Sequence, residues 1–296
     1  MSTPTLKQLQ AFVTITQAKS LSAAAEQLYL SKAALSSALA ELEKNLGHAV
    51  FDRVNNRLLL NQEGRRLLPL ADELLTRANE IAQLFSQDAQ MAGILRLGAS
   101  DTIGNQVMPA LLGTLRQQFP AAQPTLHITN STRIINMLLD FELDLGLVEG
   151  QVSHAMLDTQ VFMQDEMCII ASHTHPLVGR PVTELAELVG QTWLMRETGS
   201  GTREYFVQHV APKVTAWLLS MQLNSTEALL NAVAAGLGLA CVSTRAARYA
   251  LADGRVCRLP IVLQPLRQFS LVVHRDKYRS PLLQACMAQC LRDIEA

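Results

Sequence analysis

The sequence predicts an α/β protein whose N-terminal part is built differently from the rest. The first sixty residues place apolar side chains at helical spacing, interrupted by polar turns. A single long helical pattern follows over residues 62–89. From Gly93 onward, short apolar strand patterns alternate with helical ones, as is typical of an α/β domain with a largely parallel sheet.

The composition narrows the class of protein. The 296 residues are 49% apolar and 17% charged, which excludes a disordered chain. Aromatic residues make up 5%, too few for single-stranded nucleic-acid stacking. The net charge of -1, taken over the whole chain, argues against a nucleic-acid binder. The polar start, the lack of a long apolar run and five scattered cysteines predict a cytoplasmic protein with no membrane contact.

Three short helices are predicted first. Apolar residues from Leu6 to Val13 mark one, Ser20 or Ser22 caps a second, and Ser31 caps a third that ends at Gly47. A tight turn at residues 29–31 joins the second and third helices. Two short helices joined in this way predict a helix-turn-helix.

A small hairpin follows the third helix. Strands at 50–51 and 58–60 flank a polar segment that contains Arg53 and Arg57. The helices and hairpin together predict a winged helix-turn-helix.

The long helix has an apolar stripe that it cannot bury alone. The stripe consists of Leu67, Leu70, Leu74, Leu75, Ala78, Ile81 and Leu84. We expect a second copy of the chain to supply a partner helix. Packing of the stripe on its own domain is the alternative. Pro69 is expected to bend the helix locally.

The α/β region contains a short near-repeat. We predict strands at 94–99, 126–129, 145–148, 167–171, 193–195, 240–242 and 270–273, and helices at 102–119, 134–141 and 281–294. Asn-Ser-Thr precedes a helix and then a Leu-Gly-Leu strand at 130–148, and the same pattern recurs at 224–240. The repeat favours two similar lobes with a binding cleft between them, with chance as the alternative.

No catalytic arrangement stands out. The sequence has no nucleophile elbow, P-loop or dinucleotide fingerprint, and His173 and His175 have no third ligand at metal-site spacing. We therefore predict neither an enzyme nor a metal site.

Loops that end strands and open helices are the stronger signal. Free N–H groups at helix starts bind anions, glycines allow close approach and hydroxyls add donors. The effector-binding candidates are Ser100, Asp101, Thr102, Asn130, Ser131, Thr132, Glu149, Thr198, Gly199, Ser200, Gly201, Thr202, Arg203, Asn224, Ser225 and Thr226. Helix capping is the alternative for any one loop. Asp101 and Glu149 complicate a simple anion site, because either repels a dianion, pairs with Arg203 or accepts a bond from a ligand hydroxyl.

Residues 6–66 resemble the N-terminal domain of the LysR-type transcriptional regulators. The matching residues are Leu6, Leu9, Phe12, Ser20, Leu21, Ser22, Ala24, Ala25, Leu28, Ser31, Ala34, Leu35, Ser36, Leu39, Leu42, Glu43, Leu46, Gly47, Phe51, Arg53, Arg57 and Gly64. The rest resembles the family's two-lobed, periplasmic-binding-protein-like (type 2) effector domain, including the segments at 175–177 and 236–238. Lys32, Ala33 and Asn61 depart from the family's common residues.

The resemblance implies three parts. They are a DNA-binding domain at 1–61, a linker and dimerisation helix at 62–89, and an effector domain at 90–296. Within the last, one lobe takes about 90–164 and 268–296, and the other takes about 165–267. The implied DNA contacts are Ser22, Ser31, Lys32, Ala33, Ser36, Ser37, Arg53, Asn55 and Arg57.

The implied function is regulation of transcription by a small molecule. The expected partners are promoter DNA, further copies of the chain as a dimer or homotetramer, and RNA polymerase. No cofactor is expected. The effector would be an inorganic anion such as sulfite or sulfate, or a small carboxylate or phosphate metabolite, and segment 200–204 favours this class. The alternatives are a small-molecule binding protein, an enzyme that uses the cleft, and a redox-responsive regulator built on Cys168 or Cys241.

The charge is divided between the two ends of the chain. Residues 1–66 hold 8 Lys and Arg against 5 Asp and Glu, or +3, and the remainder holds 17 against 21, or -4. The basic share lies in the predicted DNA-binding part, so the overall balance of -1 conceals a partition between a DNA end and a sensing end.

Overall fold

The helices of the N-terminal domain begin where the sequence offers a polar cap. A computed structural model describes residues 3–18, 20–54, 57–84 and 91–292. The first three helices are α1 (Leu6–Ala18), α2 (Leu21–Gln27) and α3 (Lys32–Leu46). The hydroxyls of Ser20 and Ser31 accept the N–H three residues on, at 3.2 and 3.1 Å. Gly47 ends α3 with a left-handed φ of 73°. Ser22 lies inside α2 and caps nothing.

The hairpin and the long helix are joined by a close contact. The hairpin pairs β1 (Phe51–Val54) with β2 (Arg57–Leu60), so its strands extend into the segment predicted as a polar turn. Helix α4 (Gln62–Gln83) begins directly after it and continues through Pro69. A Cβ on Gly64 would lie 2.2 Å from the Val50 carbonyl oxygen, so only glycine lets α4 approach the hairpin. The predicted end of the helix, 85–89, lies outside the described residues.

The apolar stripe of α4 divides into two halves. Two of its members, Leu67 and Leu75, are half-buried against the core of the N-terminal domain, which agrees with packing on its own domain for this part of the stripe. The other half is exposed in the single chain, with exposed fractions of 59%, 50%, 69% and 58% at Leu70, Leu74, Ile81 and Leu84. Half of the stripe is therefore free to contact a second chain.

The C-terminal region contains ten strands and seven α-helices within the described residues. In chain order they are β3 (Gly93–Ala99), α5 (Asp101–Gln106), α6 (Met108–Gln118), β4 (Ala122–Ile128), α7 (Ser131–Leu139), β5 (Leu145–Glu149), β6 (Leu157–Asp165), β7 (Met167–Ala171), β8 (Thr192–Arg196), α8 (Gly201–Tyr205), β9 (Leu218–Leu223), α9 (Thr226–Ala234), β10 (Ala240–Ser243), α10 (Thr244–Ala252), β11 (Cys257–Arg258), β12 (Arg267–His274) and α11 (Pro281–Arg292).

The first lobe is built on a five-stranded mixed sheet, whereas the sequence predicted a largely parallel one. Its order is β4-β3-β5-β12-β6, with β3 parallel to β4 and β5, and β12 antiparallel to β5 and β6. Strand β6 was not predicted, because most of its residues are exposed and it shows no regular alternation. The predicted helix 102–119 is wrong as a single helix. Pro109 has no N–H and its ring clashes with the preceding turn, so α5 ends and α6 begins at that point.

The second lobe has two small sheets. Strand β7 pairs antiparallel with β10 and β11, and β8 pairs parallel with β9. The chain crosses between the lobes after β6, at Asp165, and returns at Arg267, where β12 begins. Strand β9 was not predicted because its face is exposed.

The linker helix and the first lobe are joined by a buried cluster of charges. Asp72 of α4 lies 3.0 Å from Arg96 and 2.7 Å from Lys277, and both cations also bind Asp144. Beside the cluster, Gln17 of α1 donates to the Phe141 carbonyl at 2.9 Å. The N-terminal domain therefore contacts the first lobe directly. Across the described ranges, no helix combines the length and the apolar character needed to span a lipid bilayer.

Candidate functional site

The N-terminal domain presents a polar face around the start of α3. Lys32, Ala33 and Ser37 are exposed, and Ser36 is half-buried, because Leu35 and Leu39 face the core. Ser22, on α2, is also exposed. The side chains that face solvent are therefore the ones available to a nucleic-acid groove.

The wing places a second basic group at this end of the domain. Arg53 is exposed on β1. Asn55 and the side chain of Arg57 lie outside the described residues. Tyr29 in the turn between α2 and α3 was not among the predicted contacts, yet it is 97% exposed with a left-handed φ of 54°. An aromatic residue held in this strained and exposed conformation is a further candidate for DNA contact.

The cleft forms where strand ends from the two lobes meet. Strands β3, β4 and β5 are parallel, so the residues that follow β3 and β4, Ser100 and Asn130, lie at one edge with Glu149, the last residue of β5. Strands β8 and β9 are also parallel, which brings the loops at Thr198 and Asn224 together on the opposite lobe. The four predicted loops therefore do converge on one cleft.

A buried carboxylate and a buried guanidinium lie at the centre of the cleft. Glu149 accepts from the N–H of Thr102 at 2.9 Å and from the hydroxyl of Thr202 at 3.3 Å. Its Oε2 lies 2.7 Å from Nη1 of Arg267. Arg267 also binds Asp165 at 2.6 Å and the Thr202 hydroxyl at 3.0 Å. Each of these five residues is at most 5% exposed, so the contacts are shielded from water.

The ionisation of the two carboxylates follows from these contacts. Burial alone would raise the pKa of Glu149, but the charge of Arg267 and the Thr102 hydrogen bonds hold that pKa below its ordinary value. Burial raises the pKa of Asp165 above its ordinary value, despite the opposing charge of Arg267. Glu149 is therefore the carboxylate that the cleft holds firmly in its ionised form.

Arg196 joins the lobes at the side of this centre. It lies 3.0 Å from Asp101 of the first lobe and donates to Thr226 of the second at 2.8 Å. It also pairs with Glu197, whose other oxygen accepts from Asn130 at 3.2 Å. These contacts hold the cleft closed.

The other candidates lie around the rim or cap helices. Asn130 caps α7 and Ser225 caps α9, so the two Asn-Ser-Thr triplets open helices at different residues. The N–H of Thr132 donates to the Gly199 carbonyl across the cleft at 3.2 Å. The Ser131 hydroxyl donates to the Glu149 carbonyl at 3.4 Å. The hydroxyls of Ser100 and Ser200 cap nothing, and Thr198 and Asn224 are exposed.

Arg203 and Gly201 have different places from those expected. Arg203 donates to the Arg196 carbonyl and to Gln222, so it pairs with neither Asp101 nor Glu149. Gly201 is needed for close packing, since a Cβ there would lie 2.5 Å from the Cβ of Glu149. Helices α5 and α8 have six and five residues. The individual donors, rather than long helix dipoles, therefore make up the site.

Arg196, Arg267, Asp165 and Glu197 are the cleft residues that the sequence interpretation missed. The only local signal was an arginine at one end of a buried strand, at the end of β8 and at the start of β12. No group of three or more His, Cys, Asp and Glu suited to a metal occurs within the described ranges.

Family models match nearly the whole chain. Residues 6–65 match the bacterial regulatory helix-turn-helix protein model of the lysR family, and residues 88–295 match the LysR substrate binding domain. The chain belongs to the LysR family. It is a DNA-binding transcription regulator with an effector-binding domain, and not an enzyme.

Known LysR-type proteins resemble the chain along its length. The HTH-type transcriptional regulator YeiE of Escherichia coli is 36% identical over 287 residues, which cover 97% of each chain. A full-length OxyR variant from Pseudomonas aeruginosa shares the fold, with a TM-score of 0.76 at 22% identity over 100% of this chain and 96% of that one. The Synechocystis CcmR regulatory domain in complex with 2-PG has a TM-score of 0.62 at 26% identity, over 69% of this chain and 98% of that one.

Proposed function

We propose that a small anionic molecule bound between the lobes changes how this regulator binds and bends promoter DNA. The proposal of an anion rests on the position of Arg267. This residue is 3% exposed and contacts Thr102 of one lobe and Thr202 of the other. A guanidinium beside hydroxyl and N–H donors suits a carboxylate or another oxyanion. The CcmR regulatory domain, which shares this fold, was solved in complex with 2-PG. The effector class is therefore an inorganic anion such as sulfite or sulfate, or a carboxylate or phosphate metabolite.

The test follows DNA binding in the presence of candidate anions. Full-length protein is mixed with a genomic DNA fragment selected for binding to it. The electrophoretic mobility shift and the bend of this DNA are then measured in the presence of sulfite, sulfate, phosphate and small carboxylates. Thr202→Ala removes a hydroxyl that both Glu149 and Arg267 contact, so it should lose the anion response and keep DNA affinity. Thr114→Ala, which removes a hydroxyl at a half-buried position on α6, is the matched control. An anion response of wild-type size in Thr202→Ala would contradict the placement of the effector site beside Thr202.

DNA contact is assigned to the exposed face of the N-terminal domain. Lys32 and Ser37 at the start of α3 would lie in the major groove, and Arg53 of the wing would reach the backbone or minor groove. Tyr29 is added to this face because of its exposure. Tyr29→Ala should weaken binding, which a fluorescence-anisotropy titration would detect.

The assembly is proposed from the exposed half of the α4 stripe. Leu70, Leu74 and Ile81 leave an apolar surface that a second α4 would bury, so two recognition helices meet a two-fold symmetric DNA site. Leu74→Glu should shift the protein toward monomer in sedimentation velocity. A homotetramer is the proposed DNA-bending form, and RNA polymerase is the proposed partner at activated promoters.

The redox alternative is not favoured by the state of its thiols. Cys168 and Cys241 are buried, and burial raises the pKa of Cys168 to about 11 and that of Cys241 further. A protonated and buried thiol reacts slowly. The anion response should therefore survive replacement of both cysteines by serine.

A further inference from the structure

The anion site around Arg267 is already filled by a carboxylate of the chain itself. Glu149 takes a backbone N–H from Thr102, a hydroxyl from Thr202 and a guanidinium N–H from Arg267. A free carboxylate would use the same kinds of donor. The donors come from separate segments on both lobes, so they meet only when the cleft is closed.

One donor beside this carboxylate is only weakly engaged. Ser100 is 1% exposed, and its hydroxyl lies close enough to Glu149 to help lower the pKa of that carboxyl. The hydroxyl makes no hydrogen bond of good geometry with any described residue. A buried donor without a good partner is costly, and a ligand oxygen would satisfy it.

We propose that Glu149 is an internal ligand of the effector site, and that the effector is a monocarboxylate that displaces Glu149 from Arg267. The inference rests on the anionic effector of the proposed function and specifies its chemistry. Glu149 closes the cleft by binding Arg267 and Thr202, and the effector's carboxylate takes over these contacts and binds the Ser100 hydroxyl.

The remaining charges explain why one negative charge is preferred. Arg267 keeps Asp165 at 2.6 Å when Glu149 leaves, so its positive charge stays paired during the exchange. Asp165 is itself bound by the Ser243 hydroxyl at 2.8 Å and does not need to move. A dianion would add a second negative charge beside Asp165 and the displaced Glu149. Repulsion between like charges therefore selects a carboxylate over sulfate or phosphate.

Removal of the Glu149 side chain should turn the occupied site into an open one. Glu149→Ala leaves a space beside Arg267 that is suited to acetate. Because the wild-type site is competent only while Glu149 is displaced, removing this competitor should tighten acetate binding by about tenfold or more. Acetate is the probe, measured by calorimetry and thermal shift on the full chain at constant ionic strength. Sulfate at the same concentrations should have less effect.

Two further variants keep the test decisive. Glu227→Ala also removes a glutamate that binds an arginine, with the same charge change, but its partner is the exposed Arg255. It should gain no acetate affinity. Glu149→Gln keeps the size of the side chain and removes its charge, so it should gain a smaller amount. If Glu149→Ala does not fold, the acetate affinity of Glu149→Gln is compared with that of wild type instead.

The outcomes separate this inference from the function on which it rests. Acetate binding by wild type that tightens only in the Glu149 variants supports the internal ligand, whereas acetate binding seen only after Glu149 is removed is filling of the new cavity and overturns it. Equal acetate affinity in wild type and the Glu149 variants overturns it, and so does an absence of acetate binding in proteins whose DNA binding still responds to some anion. If no anion binds or changes DNA binding in any of these proteins, the proposed function itself is refuted.

Discussion

Lys277 holds the linker helix to the first lobe. Its ammonium lies 2.7 Å from Asp72 on α4 and 2.6 Å from Asp144 in the lobe. Arg96 binds the same two carboxylates, at 3.0 and 2.6 Å. The cluster therefore balances two positive charges against two negative ones. Lys277→Met removes one positive charge while keeping an apolar stem of similar length.

The expected cost follows from the burial of the cluster. Lys277 and Asp72 are 6% and 4% exposed, so water cannot easily replace the lost ammonium. Removing one partner of a buried ion pair lowers the free energy of unfolding by about 3–5 kcal/mol. Arg96 still binds both carboxylates, so we expect a value near the lower end, about 3 kcal/mol. For a folded region of this size, such a loss lowers the melting temperature by roughly 6–12 °C.

A surface ion pair provides the matched comparison. Arg275 pairs with Asp158 where both side chains are at least half exposed, so Arg275→Met should cost at most about 1 kcal/mol. Both variants are melted under identical conditions and followed by calorimetry. The double variant Lys277→Met with Asp72→Asn restores the charge balance and should recover part of the loss. Equal small losses for Lys277→Met and Arg275→Met would refute the reasoning.

Four further expectations follow from other contacts. Arg53→Ala should weaken binding to all DNA sequences and reduce the salt slope by about 0.9 per lost phosphate contact, and an unchanged slope would remove the wing from the interface. Gly64→Ala should destabilise the N-terminal domain by about 1–3 kcal/mol because its Cβ meets backbone at 2.2 Å, whereas Gly113→Ala, with open space, should not, as thermal melts will show. Lys277 and Arg96 overcome burial and lower the pKa of Asp144 to about 2, so its stabilising contribution is complete above its unfolded pKa near 4 and is lost as the pH falls toward 2. In acid-unfolding curves this loss should be smaller in Lys277→Met and should be complete at a higher pH, because the folded pKa moves back toward the unfolded one. Cys257 is the half-buried cysteine while the other four are buried, so a maleimide should label it first in the native protein, and labelling that survives Cys257→Ser would contradict this.

Features set by local sequence were predictable. Ser20 and Ser31 mark the starts of their helices and Gly47 marks the end of one, because a cap depends on residues within one turn. Asn61, which departs from the family's common residue, caps α4 by accepting the Gly64 N–H at 2.9 Å. The loops of the cleft were also found, since a polar residue after a buried strand is visible in the sequence.

Features set by distant partners were not predictable in the same way. Glu149 and Arg267 are 118 residues apart in the chain, so nothing near either one reveals the pair. From the sequence, Glu149 could repel a dianion, pair with Arg203 or accept a hydrogen bond from a ligand hydroxyl. In the fold its charged partner is Arg267. Strands β6 and β9 were missed for a related reason, because exposed strands lack the apolar pattern that marks buried ones.

Helix α7 has one end in the cleft and the other against the N-terminal domain. Its capping residue, Asn130, donates to Glu197, and the helix leads to Phe141, whose carbonyl accepts from Gln17 of α1. Nine helical residues span about 14 Å and bend little over that length. The helix is thus a short, stiff connection between the cleft and the N-terminal domain. A displacement at Asn130 would reach α1 through this one helix, without passing through the linker helix.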